Sequence, residues 1–243
     1  MRKMRLGELS AYVTGGSDGQ GGGNGPLCVL LHGFGAPGSD LVPLASELAL
    51  PSAVRFLFPM APLVLEPGAP EQFAARAWWL IDIAALQVAA LTGEFLAISQ
   101  HEPEGLESAR QLLLGLLDAA ERELAVPEGK LVIGGFSQGA MLATDVVLAS
   151  ERPFAGLAIL SGMLLRSAVW TERAPRRRGL PVFQSHGSAD PIVPFPLAER
   201  LAETLRGAGA ELEWVAFPGG HGIPAVALQG LAAFLTSTLE VGR

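Results

Sequence analysis

The chain has 243 residues, enough for one or two domains, with only 17% charged and 49% hydrophobic residues and 30 Gly and 18 Pro; this describes a compact, turn-rich chain and excludes a disordered one. Seventeen basic against 24 acidic residues leave a formal charge of −7, which repels nucleic-acid phosphates and anionic lipid surfaces and removes both as expected partners. The single cysteine, Cys28, makes no internal disulfide and no multi-cysteine metal site, in keeping with a reducing compartment.

At the start, Arg2, Lys3 and Arg5 have no apolar stretch behind them. No secretory signal is read there, and a cytoplasmic protein is expected. Residues 15–25 (GGSDGQGGGNG) are of low complexity and precede the apolar run Leu27–Leu31. A phosphate-cradling loop needs the order strand, loop, helix, so this segment is expected to be a flexible Gly-rich turn. Strands are then expected at 27–31, 55–58, 131–136, 156–160, 181–185 and 212–217, and helices at 40–48, 104–124, 138–150, 196–207 and 223–239. Residues 61–100 contain no clean strand and read as an excursion over one end of the sheet.

The helix at 104–124 has the clearest pattern: Leu106, Ala109, Leu113, Leu116, Leu117, Ala120 and Leu124 recur at three- and four-residue intervals, one apolar stripe. The stretch Ile223–Leu239 is apolar but holds Pro224, Gln229 and Thr236, and falls short of the roughly 18–20 apolar residues of a membrane span. No stable membrane insertion is expected. Unbroken apolar strands alternating with helices imply an α/β fold with a mostly parallel central sheet covered on both faces. No composition break marks a second domain, so 1–243 is expected to be one.

Gly135-Phe136-Ser137-Gln138-Gly139 directly follows a strand and directly precedes a helix. This is G-x-S-x-G in its required setting: small residues two before and two after let the chain make a tight, strained turn that presents the serine at the sheet edge. The N–H groups at the helix start are free to bind a developing oxyanion. Serine needs a base, and the base needs an acid to orient it. Of the four histidines, His221 follows the last strand with glycines on both sides, and is the candidate base. Asp190, after the penultimate strand, is the candidate acid. The order Ser137, Asp190, His221 is that expected of an α/β-hydrolase. The loop His32-Gly33-Phe34-Gly35 has the position of the second oxyanion element, so the N–H groups of Phe34 and Gln138 are the expected donors. His32 itself is read as a residue that fixes this loop.

With these residues in hand, the chain resembles the carboxylesterase, lysophospholipase and acyl-protein thioesterase family of α/β-hydrolases. The resemblance rests on LHGFGAPGSD at 31–40, GFSQGA at 135–140, HGSADPIVP at 186–194 and GHGI at 220–223. It implies triad roles for Ser137, Asp190 and His221, oxyanion roles for Phe34 and Gln138, and an ester or thioester substrate. The family's aromatic pair is closely followed by an acid; here Trp78 and Trp79 are followed later, at Asp82, and the chain continues into an apolar stretch at 83–98. Trp78 and Trp79 are candidates for an acyl groove, or for core packing. Arg176–Arg178 fit a solvated loop better than a phosphate site, Cys28 fits the core, and Asp145 has no evident partner.

The expected protein is therefore a cofactor- and metal-free serine hydrolase acting on small or lipid-like esters or thioesters, as a monomer or homodimer. A peptidase or lactone hydrolase on the same scaffold, or a non-catalytic ligand-binding protein, are the alternatives.

Overall fold

The computed structural model describes residues 1–82 and 99–239. Its elements in chain order are β1 (Arg2–Leu6), β2 (Leu9–Gly16), β3 (Gln20–Gly22), β4 (Leu27–Leu31), α1 (Leu44–Glu47), β5 (Arg55–Pro59), β6 (Leu63–Val64) and β7 (Arg76–Ala77). After these come α2 (Leu106–Glu123), β8 (Leu131–Phe136), α3 (Gln138–Ala149), β9 (Gly156–Leu160), α4 (Ser167–Arg173), β10 (Pro181–Gly187), α5 (Phe195–Gly207), β11 (Glu211–Phe217) and α6 (Ala225–Thr238).

The strands of the main sheet lie in the order β1-β2-β5-β4-β8-β9-β10-β11, with β3 beside β2. From β5 to β11 every neighbouring pair is parallel, while β1 and β2 form an antiparallel hairpin on the β5 edge. This is the expected α/β architecture, widened by a hairpin whose strands carry no unbroken apolar run.

Because successive side chains on a strand point to opposite faces, each central strand feeds two cores. Leu27, Val29 and Leu31 of β4 and Leu131 and Ile133 of β8 pack with α2, α3 and α5. Cys28 and Leu30 of β4 and Val132 of β8 face α1 and α6 instead. Cys28 is fully buried there, and burial pushes its thiol pKa up. The stripe read in α2 is real: Leu106, Leu113, Leu116 and Leu117 are each 0% exposed, worth about 2 kcal/mol apiece in area removed from water. None of the helices among the described residues is long and apolar enough to cross a membrane.

Several local expectations change. The helix read at 40–48 becomes a run of i→i−3 turns, with α-helix only at 44–47. The Gly-rich segment 15–25 is tied to the sheet instead of forming a loose turn: β2 runs through Gly16, β3 lies inside it, and Arg55 reaches across. The buried Arg55 guanidinium takes backbone carbonyls, donating to Gly23 O at 2.9 Å and Gly25 O at 3.1 Å, with no ion pair to a carboxylate among the described residues. The excursion after residue 60 contains the two-stranded β6–β7 ladder; its apolar part at 83–98 lies outside the described residues. Ser167–Arg173, with no strong apolar period, forms α4, which the sequence pattern passes over.

Candidate active site

The turn that carries Ser137 is built by close approach. At Gly135 an added Cβ would lie 2.5 Å from Leu31 O, and at Gly139 2.1 Å from the same atom. Any side chain at either position would strike the β4 backbone, which leaves room only for glycine. Ser137 between them has φ 54 and ψ −118, a region that L-residues avoid at a cost of about 1–3 kcal/mol. Two bonds hold this strain: Ser137 N–H donates to Leu160 O of β9 at 2.8 Å, and Ser137 O accepts from Met141 N–H at 3.1 Å.

Asp190 and His221 meet across two loops at the carboxyl ends of β10 and β11. Gly187 allows this, since an added Cβ there would lie 2.3 Å from Gly220 O. The loops are joined by Ser188 N–H to Phe217 O and Ala189 N–H to Gly219 O, both 2.9 Å. His221 Nδ1–H donates to Asp190 Oδ2 at 2.6 Å, and Oδ1 accepts from the Ile192 and Val193 N–H groups at 2.8 and 2.9 Å. The Asp190 side chain is wholly buried. Burial alone would raise its pKa, but the bonds from His186, His221 and the two amides outweigh it and hold the carboxyl well below the usual range. The aspartate is thus a fixed anion that orients the imidazole with Nε2 directed away from it. The His221 ring packs on Phe136, centroids 4.7 Å apart.

Ser137 and His221 open onto one cavity of about 450 Å³. Among the described residues its apolar walls include Phe34, Trp79, Leu80, Met141, Met163 and Leu165, and Asp40, Asp82, Glu102 and Glu104 also border it. Mostly apolar walls around a few polar groups suit a ligand with a hydrocarbon part.

The loop that carries Phe34 is braced from below. His32 Nδ1–H donates to Gly33 O at 2.8 Å and Nε2 accepts from Ala61 N–H at 3.1 Å, which specifies the neutral Nδ1–H tautomer. Gly35 N–H donates to Arg76 O at 2.8 Å and Arg76 N–H to Ala36 O at 3.1 Å, joining the loop to β7. Phe34 lines the cavity and Gln138 opens α3, where the first backbone N–H of any helix has no partner inside it. The Gln138 side chain is buried and clamps the tryptophan pair: Oε1 accepts from Trp78 N–H at 3.0 Å and Nε2 donates to Trp79 O at 2.8 Å.

The two tryptophans therefore part company. Both pack in the core, but only Trp79 also lines the cavity; Trp78 donates its indole N–H to His32 O at 3.0 Å. Two further residues serve the site. His186 is fully buried, donates from Nε2 to Val193 O at 3.0 Å and lies 3.2 Å from Asp190 Oδ2. Ser161, left-handed at φ 52, donates from Oγ to Gly222 O at 3.4 Å beside His221. The His-Gly pair at 186–187 marked a strand end in the sequence, but nothing in the order of residues aims that ring at Asp190.

Comparison with known proteins agrees with this construction. The phospholipase/carboxylesterase family model matches residues 22–239. Acyl-protein thioesterase 1 of Mycosarcoma maydis is 32% identical over 227 residues, covering 86% of this chain and 89% of that protein. A probable carboxylesterase of Oryza sativa subsp. japonica is 28% identical, covering 90% and 80%. Among solved structures, esterase PE8 superposes with a TM-score of 0.75 at 25% identity, covering 95% of this chain and 99% of that one. With its family model matched across 218 of 243 residues, a parallel sheet of the right order and a serine on the strand-to-helix turn, the chain belongs to the phospholipase/carboxylesterase family of α/β-hydrolases.

Proposed function

We propose that the protein hydrolyses carboxylic esters or thioesters through an acyl intermediate on Ser137. The observation that carries this reading is the Asp190–His221 pair, 2.6 Å apart, with His221 facing the same cavity as the strained Ser137. His221 Nε2 takes the hydroxyl proton as Ser137 Oγ attacks the acyl carbon, and the imidazolium so formed is stabilised by the fixed charge of Asp190. The carbonyl oxygen, now an oxyanion, is received by the N–H groups of Phe34 and Gln138. His221 returns the proton to the leaving alcohol or thiol, leaving acyl-Ser137. Water, deprotonated by the same histidine, attacks the acyl carbon; the acid departs and Ser137 recovers its proton.

The family resemblance, the thioesterase and carboxylesterase relatives and the apolar cavity support a lipid-like acyl group as substrate. The single buried cysteine supports a cytoplasmic setting. Ser137→Ala and His221→Ala should each lower kcat/KM on an activated ester by several orders of magnitude while leaving the circular dichroism spectrum unchanged. A fluorophosphonate should label wild type at Ser137 and leave His221→Ala essentially unlabelled. Wild-type turnover by either variant would overturn the assignment.

A further inference from the structure

Asp145 lies on α3 in step with the nucleophile turn: Ser137, Met141 and Asp145 are four residues apart, and such positions share one helix face. Ser137 and Met141 line the cavity; Asp145, about 12 Å from Ser137 at the helical rise per residue, is 0% exposed. A buried carboxylate is stable only when paired, and the structure supplies the partners that the sequence left unseen. Asp145 Oδ2 accepts from the Arg110 guanidinium, and Oδ1 accepts from Trp170 Nε1–H at 2.9 Å and from Arg166 at 3.3 Å. The same Arg166 guanidinium turns its other nitrogen to Glu102, 2.9 Å away. Glu102 belongs to residues 101–104, all four of which line the cavity. One cation therefore joins Asp145, two turns along α3 from Ser137, to a cavity wall.

We propose that Arg166 is a specificity-determining positioning residue: by bridging Asp145 to Glu102 it holds the 101–104 wall in place, and so sets how well the cavity accepts longer acyl chains. This rests on the acyl-hydrolase reading above. Arg166 touches no reacting atom, and acetyl, as the shortest acyl group, should depend least on the wall it positions. Asp145 keeps Arg110 and Trp170 when Arg166 is replaced, so the buried carboxylate does not lose all its partners.

The test uses the full chain with p-nitrophenyl acetate, butyrate, octanoate and dodecanoate. In Arg166→Met, kcat on the acetate should be unchanged, while KM for octanoate and dodecanoate rises about tenfold, equivalent to roughly 1.4 kcal/mol of lost binding. Glu102→Ala, which leaves the Asp145 side intact, should raise the same two KM values, and the double variant should be no worse than either single one. Arg166→Lys should restore part of the effect, since an ammonium keeps the charge but not the two-sided fork. An unchanged chain-length profile in folded Arg166→Met and in Glu102→Ala overturns the proposal, as does an equal loss of kcat on all four esters, which would mark a merely structural role. Wild-type protein inert to every ester and to fluorophosphonate would instead overturn the acyl-hydrolase reading itself.

Discussion

His32 shows how much one side chain decides. Its neutral ring satisfies both neighbours, giving Nδ1–H to Gly33 O and accepting Ala61 N–H at Nε2; a second ring proton would point at an N–H that needs an acceptor. Burial, with Arg76 nearby and despite the Gly33 carbonyl, lowers its pKa from 6.5 to about 4. Between those values the unfolded chain binds more protons than the folded one, so stability rises with pH there, is complete above about 6.5 and is lost as pH falls towards 4. The full loss is on the order of 3 kcal/mol. Asp190 acts in a separate window: its carboxyl is held down, so its contribution is lost only below the ordinary value of 3.8. Urea unfolding at pH 7 and pH 4.5 should show a drop for wild type and a clearly smaller drop for His32→Gln. Equal drops would mean that His32 is not the titrating group. The residue types of this site were legible in sequence, because a glycine-flanked serine and an Asp-Pro turn carry local signals. The placements of His186 and Ser161 were not, because the fold of the 187–193 loop aims the His186 ring at Asp190 and Val193, and the Ser161 hydroxyl meets Gly222, 61 residues away.

At the scale of elements, α3 joins chemistry to stability. Its N-terminus opens at Ser137 and its last carbonyls have no helical partner. Arg177 supplies one, donating to Val147 O at 2.7 Å, to Arg152 O at 2.9 Å and to Ser150 O. Its guanidinium also lies over the Phe154 ring, 5.7 Å from the centroid. The arginine run that read as a solvated loop thus contains a helix cap. Arg177→Ala should destabilise the protein by about 2–3 kcal/mol, because three carbonyls lose a charged donor, and Arg177→Lys should recover less than half of that. Denaturation midpoints in urea measure both; an unshifted midpoint in the alanine variant would refute the cap. Strands and helices with unbroken or stripe-like apolar patterns were found by pattern alone. The β1–β2 hairpin and α4 were not, since an edge hairpin alternates and a short helix shows too few turns for a period to emerge.

For the whole molecule, Ser137, Asp190 and His221 follow β8, β10 and β11 of one sheet, which leads us to propose that the chain is a single domain. Tryptophan fluorescence and far-ultraviolet circular dichroism should then give superimposable urea transitions, with Trp78 and Trp79 reporting from the excursion, Trp170 from α4 and Trp214 from β11. Two separated transitions would divide the chain. By itself the sequence determined the parallel α/β architecture, the glycine-flanked strand-to-helix turn at Ser137 and the order of Ser137, Asp190 and His221 along the sheet edge, since each depends on spacing along the chain or on local turn geometry. Only the tertiary structure decided which buried charges meet, that Trp79 alone of the two core tryptophans also lines the cavity, and that Asp145 reaches Glu102 through Arg166. Those contacts join residues 21 or more positions apart, and packing in three dimensions, where no local periodicity reaches, selects them.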